Sequence, residues 1–140
     1  MAQGTYNRWR YNLAMKLVNM DTDTFYVELL DNDHVFEPDN NVIGDVDSNE
    51  INPGSANGYI PGGALLPNPT VAQDDTNNCM TFDADNVVWN SATFDAYHAV
   101  IYDTSVSDNL VASIDFGGIK SVSAGTFTIS WAGTGIIRLS

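Results

Sequence analysis

Apolar residues recur at helical spacing only near the start of the chain. Tyr6, Trp9, Leu13, Leu17 and Met20 fall within about 80° on a wheel turning about 100° per residue, which predicts a helix over 6–20. Thr5 stands where an N-cap is wanted. Arg10 and Lys16 flank the stripe and can lay their stems along apolar surface. The opposite face carries Tyr11, Ala14 and Val18, so it is apolar too. A helix apolar on two sides is expected to be covered twice, by its own sheet and by a partner chain.

The period then changes to two. Phe25, Val27 and Leu29 alternate with Thr24, Tyr26 and Glu28, which predicts a strand. Residues 31–63 are dense in Asp, Asn, Gly and Pro and predict a long, loop-rich connection with at most one short strand. Loops of this length are commonly functional or interfacial. Short β runs follow at Thr70–Gln73, Cys79–Phe82, Val87–Trp89, Thr93–Tyr102, Leu110–Phe116, Thr126–Trp131 and Ile136–Leu139. The segments between them, DDTNN, ADN, DTSVSDN, GGIKSVSAG and AGTG, have turn chemistry. The expected fold is mainly β: an antiparallel β-sandwich, jelly-roll-like, with one N-terminal α-helix. Residues 1–140 are expected to form one domain. Trp89 and Trp131 each lie next to a turn and are expected in its core.

Charge narrows the partners. The chain carries a net charge of −13, and all 18 acids lie between Asp21 and Asp115. Nucleic-acid binding is disfavoured, because phosphate neutralisation needs clustered Lys and Arg. No stretch reaches the roughly 20 apolar residues of a membrane span, so no membrane partner is expected. The first residues, MAQGTYNRWRYN, lack the apolar centre of a signal peptide, and synthesis in a cytoplasm is expected. With 44% hydrophobic and 11% aromatic residues the chain is too apolar for a disordered tail. Cys79 has no partner within the chain and reads as a small buried hydrophobe.

Candidate chemistry is thin. Phe82–Trp89, FDADNVVW, holds two carboxylates one residue apart, and Asp-x-Asp recurs at Asp21/Asp23, Asp31/Asp33 and Asp45/Asp47. An EF-hand starting at Asp83 would need Gly sixth and Glu twelfth, but Val88 and Phe94 stand there. Asp83, Asp85 and Asn86 therefore read as a tight turn, with Asp83 and Asp85 kept only as weak metal candidates. With 18 acids, any carboxylate pair for glycoside hydrolysis can arise by coincidence. His34 and His98 are the only histidines, and His98 reads as a satisfied strand residue. No nucleophile elbow or phosphate loop occurs. No cofactor and no catalysis are expected.

Several segments together resemble a known group: Gly58-Tyr59-Ile60-Pro61-Gly62-Gly63, Asp74-Asp75-Thr76, Phe82–Trp89, Ala99-Val100-Ile101-Tyr102, Ile114-Asp115-Phe116-Gly117 and Gly125–Trp131. They look like small structural proteins of tailed bacteriophages, of the capsid decoration or cement kind. The resemblance implies a non-enzymatic virion protein on the outer capsid surface, made in the bacterial host cytoplasm. Its partners would be the major capsid protein and its own copies, in a homotrimer. Arg8, Arg10 and Lys16, set apart from an acidic body, would be the shell or subunit contact candidates. Two alternatives remain open: a tail or tail-fibre component, and a small carbohydrate- or Ca²⁺-binding β-sandwich.

Overall fold

The computed structural model describes residues 2–140. The elements run β1 (Gly4–Thr5), α1 (Asn7–Ala14), β2 (Phe25–Leu30), β3 (Ala64–Leu65), β4 (Thr70–Asp74), β5 (Cys79–Asp83), β6 (Val87–Asp103), β7 (Asn109–Ile129) and β8 (Ile137–Leu139). One sheet has the order β1-β7-β6-β2-β3 and the other β4-β5-β8. Every strand pair is antiparallel. The expected mainly β fold with one helix near the N-terminus is the fold observed.

The two sheets share a core. Phe25, Val27 and Leu29 of β2 meet Phe82 of β5 and Ile137 of β8 in one apolar cluster, with Trp9 of α1 and Trp89 and Ala99 of β6. Phe25 and Phe82 lie edge to face, 5.4 Å between ring centres, a favoured geometry for aromatic pairs. The larger sheet is also covered on its other face. Tyr6, Leu30, Val46, Val100, Tyr102 and Leu110 form a second cluster there, with Phe36 and Ile43 packed against it. Phe36, Ile43 and Val46 belong to the 31–63 connection, so that segment acts as a third layer. It has no strand of its own. It carries three 3₁₀ turns, Ile43–Asp45, Asp47–Asn49 and Ser55–Asn57, and touches the sheet through two isolated bridges, Leu30 to Glu50 and Val42 to Asn109.

The helix is shorter than its periodicity predicts. It stops at Ala14 because Lys16 turns left-handed, with φ of 59°. The Leu17 N–H donates to the Asn12 carbonyl at 2.9 Å and the Lys16 N–H to the Leu13 carbonyl at 3.2 Å. This is a Schellman closure with Lys in the place usually given to Gly. Leu17 is therefore exposed, while Met20 returns to the core and accepts the Trp9 Nε1–H at 3.2 Å. Thr5 is not the cap. It lies in β1, and Tyr6, the residue before the helix, makes no side-chain cap bond. The second apolar face of the expected helix is left open, with Tyr11 and Ala14 exposed.

The β6–β7 hairpin is longer than the short runs predict. The segment GGIKSVSAG is not a connection but part of β7. Ala96 pairs with Lys120 and His98 with Asp115, so Phe116–Ile119 bulge out opposite Tyr97 alone. Gly117 and Gly118, with φ of 76° and 145°, take up this bulge. A second irregularity near Ser91, φ 49°, joins the two runs expected as Val87–Trp89 and Thr93–Tyr102. Trp89 is buried as expected, but Trp131 sits half-buried at the rim and donates its Nε1–H to the Asp85 carbonyl at 3.0 Å. Cys79 is half-buried in β5 beside Arg138, whose Nη2 lies 3.6 Å from its Sγ, and is not a fully buried hydrophobe.

Candidate functional site

In β2 the residues facing the second layer are Tyr26, Glu28 and Leu30, since Phe25, Val27 and Leu29 face the first core. Alternation thus puts a carboxylate on a face that the 31–63 connection covers. Glu28 is 1% exposed. Two more acids descend onto it from the connection: Asp47, which opens the second 3₁₀ turn, and Glu50, which bridges to Leu30. One ligand oxygen from each of the three lies within 4.8 Å of the others. They line a cleft of about 1020 Å³ together with Tyr26, Gly62 and Tyr102.

The segment Gly58-Tyr59-Ile60-Pro61-Gly62-Gly63 builds one wall. Tyr59 is fully buried, accepts the Leu29 N–H at 3.0 Å and donates its O–H to Glu50 Oε1 at 2.9 Å. The Gly62 N–H donates to the same oxygen at 2.6 Å. The Tyr102 O–H donates to the Gly62 carbonyl at 2.6 Å. Gly63, φ 86°, presses its backbone against β2, where a Cβ would fall on the Val27 carbonyl oxygen. Only Gly fits there. Burial pushes the Tyr59 and Tyr102 phenols up, so both act as hydrogen-bond donors.

The electrostatics of the cleft are one-sided. None of the described residues lining it is Lys, Arg or His. Burial pushes the Glu28 carboxyl up to about 8, with further upward pressure from Glu50 and Asp47, and Asp47 holds its proton by a hydrogen bond. Glu28 Oε1 has no hydrogen-bond partner. The arrangement can hold a proton or a hard cation between three oxygens.

Two other polar pairs lie elsewhere. The only histidines meet, with ring centres of His34 and His98 5.2 Å apart. His34 Nε2 is 3.2 Å from Ser113 Oγ, and burial, then His98, pushes its ring down. His98 Nδ1 stands 3.7 Å from Asp115 and lacks a hydrogen-bond partner, so His98 is not the satisfied residue expected. Asp103 is fully buried next to Asp23, and burial, then that neighbour, pushes its carboxyl up.

Of the acids and cations singled out from sequence, Asp47 of the Asp45/Asp47 pair lies in the cleft, and the others are placed apart from it. Asp83 accepts the Ala84 N–H at 2.9 Å, and Asp85 accepts from Asn68 Nδ2 at 2.7 Å. Asp83 bonds within the connection from β5 to β6, and Asp85 ties that connection to the link between β3 and β4. Asp31 and Asp45 likewise accept nearby backbone N–H groups, and two such bonds hold the Asp45 carboxyl below its ordinary value. Arg8 donates to Asn41 Oδ1 at 3.0 Å and lies over the Tyr11 ring, while Arg10 donates to Thr5 Oγ1 at 3.0 Å. Lys16 is exposed beyond the helix end. Glu28, Glu50 and Tyr59 carry no spacing signal; the one available hint is a carboxylate inside the apolar run FYVELL. Comparison with protein families, curated proteins and solved structures yields no match.

Proposed function

We propose that this protein is a non-enzymatic structural component of a tailed-phage virion, of the capsid decoration or cement kind. It would bind the major capsid protein on the outer head surface as a homotrimer and stabilise contacts between capsid subunits. The sequence resemblance supports this reading. The observation that carries it is the segment 8–17. There, three of the five basic residues, Arg8, Arg10 and Lys16, accompany three large exposed apolar side chains, Tyr11, Met15 and Leu17. The rest of the chain is acidic. An exposed apolar group beside cations on an otherwise acidic body suits contact with an acidic protein surface.

The test is adsorption to purified heads and, separately, to purified tails, at low and high salt. Arg8→Glu with Arg10→Glu is expected to keep its fold by circular dichroism and to lose head binding, most clearly at low salt. Unchanged head binding by the folded variant refutes the contact. Adsorption to tails alone would move the protein to the tail. Light scattering that gives one chain's mass at every concentration, with no self-contact on the head, removes the trimer.

A further inference from the structure

We propose that Glu28, Asp47 and Glu50 form a Ca²⁺ site that fastens the 31–63 connection to the larger sheet. This does not depend on the virion reading, because it follows from the cleft alone. Three observations converge. The three carboxylates bring one oxygen each to within 4.8 Å of one another. Calcium–oxygen bonds of about 2.3–2.6 Å allow two ligands on one ion to stand up to about 5 Å apart, so the spread fits without backbone movement. Glu28, 1% exposed, lines the cleft and carries a buried oxygen with no hydrogen-bond partner. And no cationic side chain among the described lining residues balances the cluster.

The donor set chooses the ion. All three ligands are carboxylates, with no His or Cys among them, which suits a hard cation. The cleft is open on the Asp47 side, where that residue is exposed, so waters can complete six to eight positions. Mg²⁺ asks for a tighter octahedron and releases its waters reluctantly. Glu50 is already oriented by two donors on Oε1, the Tyr59 hydroxyl and the Gly62 N–H. Such bonds to a ligating carboxylate hold it in place for a metal. The other polar pairs do not compete. His34 with His98, and Asp103 with Asp23, do not bring three ligand atoms together.

The site also has a mechanical consequence. Glu28 is on the sheet, while Asp47 and Glu50 are on the covering layer. An ion shared by all three adds a cross-link between layers that already meet through apolar contacts, two isolated bridges and hydrogen bonds such as Leu29 N–H to Tyr59 and Tyr102 O–H to the Gly62 carbonyl.

The probes are Ca²⁺ itself and Tb³⁺, whose emission is excited through nearby tyrosine; Tyr26 and Tyr102 line the cleft and Tyr59 bonds to Glu50. The full chain, freed of metal by chelator, is expected to show tyrosine-sensitised Tb³⁺ emission that Ca²⁺ displaces, and a higher melting temperature in millimolar Ca²⁺. Glu28→Gln and Asp47→Asn are each expected to weaken Tb³⁺ binding at least tenfold and to abolish the thermal shift. Asp83→Asn is expected to keep both. Asp47 lies on an exposed turn, so its variant stays informative if Glu28→Gln does not fold. Absence of Tb³⁺ emission and of any thermal shift overturns the proposal. So does a response that survives Asp47→Asn, or one that Asp83→Asn removes. A shift as large in Mg²⁺ as in Ca²⁺ overturns the choice of ion.

Discussion

Glu28→Gln, studied in chelator, should make the protein more resistant to raised pH. In the unfolded chain the Glu28 carboxyl titrates near 4.5, and in the fold it is pushed up to about 8. Across that window the folded state holds a proton that the unfolded state has released. Stability must therefore be fully present below pH 4.5 and fall as pH rises towards 8. Each pH unit is worth 1.36 kcal/mol, so the full span approaches roughly 4–5 kcal/mol. Water entering the open cleft screens part of this, and a loss of about 2–4 kcal/mol is the working figure. That is a large share of the 5–15 kcal/mol typical of a domain. Gln is neutral throughout, and its amide can donate to Asp47 as the protonated acid does. Wild type and variant should match within about 1 kcal/mol near pH 5 and diverge steadily above it.

Urea melts at about pH 5, 6.5 and 8 read this directly. In thermal melts at pH 8 the variant is expected to unfold about 4–16 °C higher, taking about 2–4 °C per kcal/mol for a domain near this size. Asp103 also has a raised carboxyl and keeps its slope in both proteins, so only the difference between the two curves reports Glu28. Parallel curves across this range would show that Glu28 is ionised in the fold without cost. A variant that is less stable at pH 8 would show the same, and either result refutes the raised Glu28 carboxyl.

Two further substitutions test the cleft wall and the core. Gly63→Ala forces a Cβ onto the Val27 carbonyl at φ 86° and should cost at least about 3 kcal/mol, whereas Gly133→Ala, which meets nothing within 4 Å, should change stability by less than about 0.5 kcal/mol; thermal melts of both decide it. Trp9→Ala should cost about 3–5 kcal/mol, and Trp131→Ala on the rim about 1–2 kcal/mol, so equal losses in urea would contradict their observed burial.

Local chemistry was readable and long-range cover was not. The strand Phe25–Leu30 and the β4–β5 pair follow from neighbouring residues and form as expected, whereas 84–86, expected as a tight turn, is an extended connection that carries the chain from one sheet to the other. The helix end did not form as expected, because Lys16 adopts a conformation that sequence reading reserves for Gly or Asn. Gly117 and Gly118 carried a true signal of positive φ, but a bulge and a turn ask for the same residues. What separates them is the partner strand: Thr93–Tyr102 continues past that point, and β7 continues with it.

The two acidic motifs show why spacing was a poor guide to the site. Asp83 and Asp85 have the regular spacing of metal ligands, yet each gives an oxygen to an N–H donor of its own, Ala84 N–H and Asn68 Nδ2–H. Glu28 has no such spacing and reads as the outward residue of an alternating strand. Its meaning changes only when residues 31–63 close over that face and bring Asp47 and Glu50 with them. An exposed carboxylate is stabilised by water at little cost, so clustering it says nothing. A carboxylate stripped of water without a cation beside it must take up a proton or a metal. Desolvation, not sequence spacing, therefore distinguishes the acid cluster with chemical capacity from those that only shape turns. It arises from a layer of loop that periodicity does not detect.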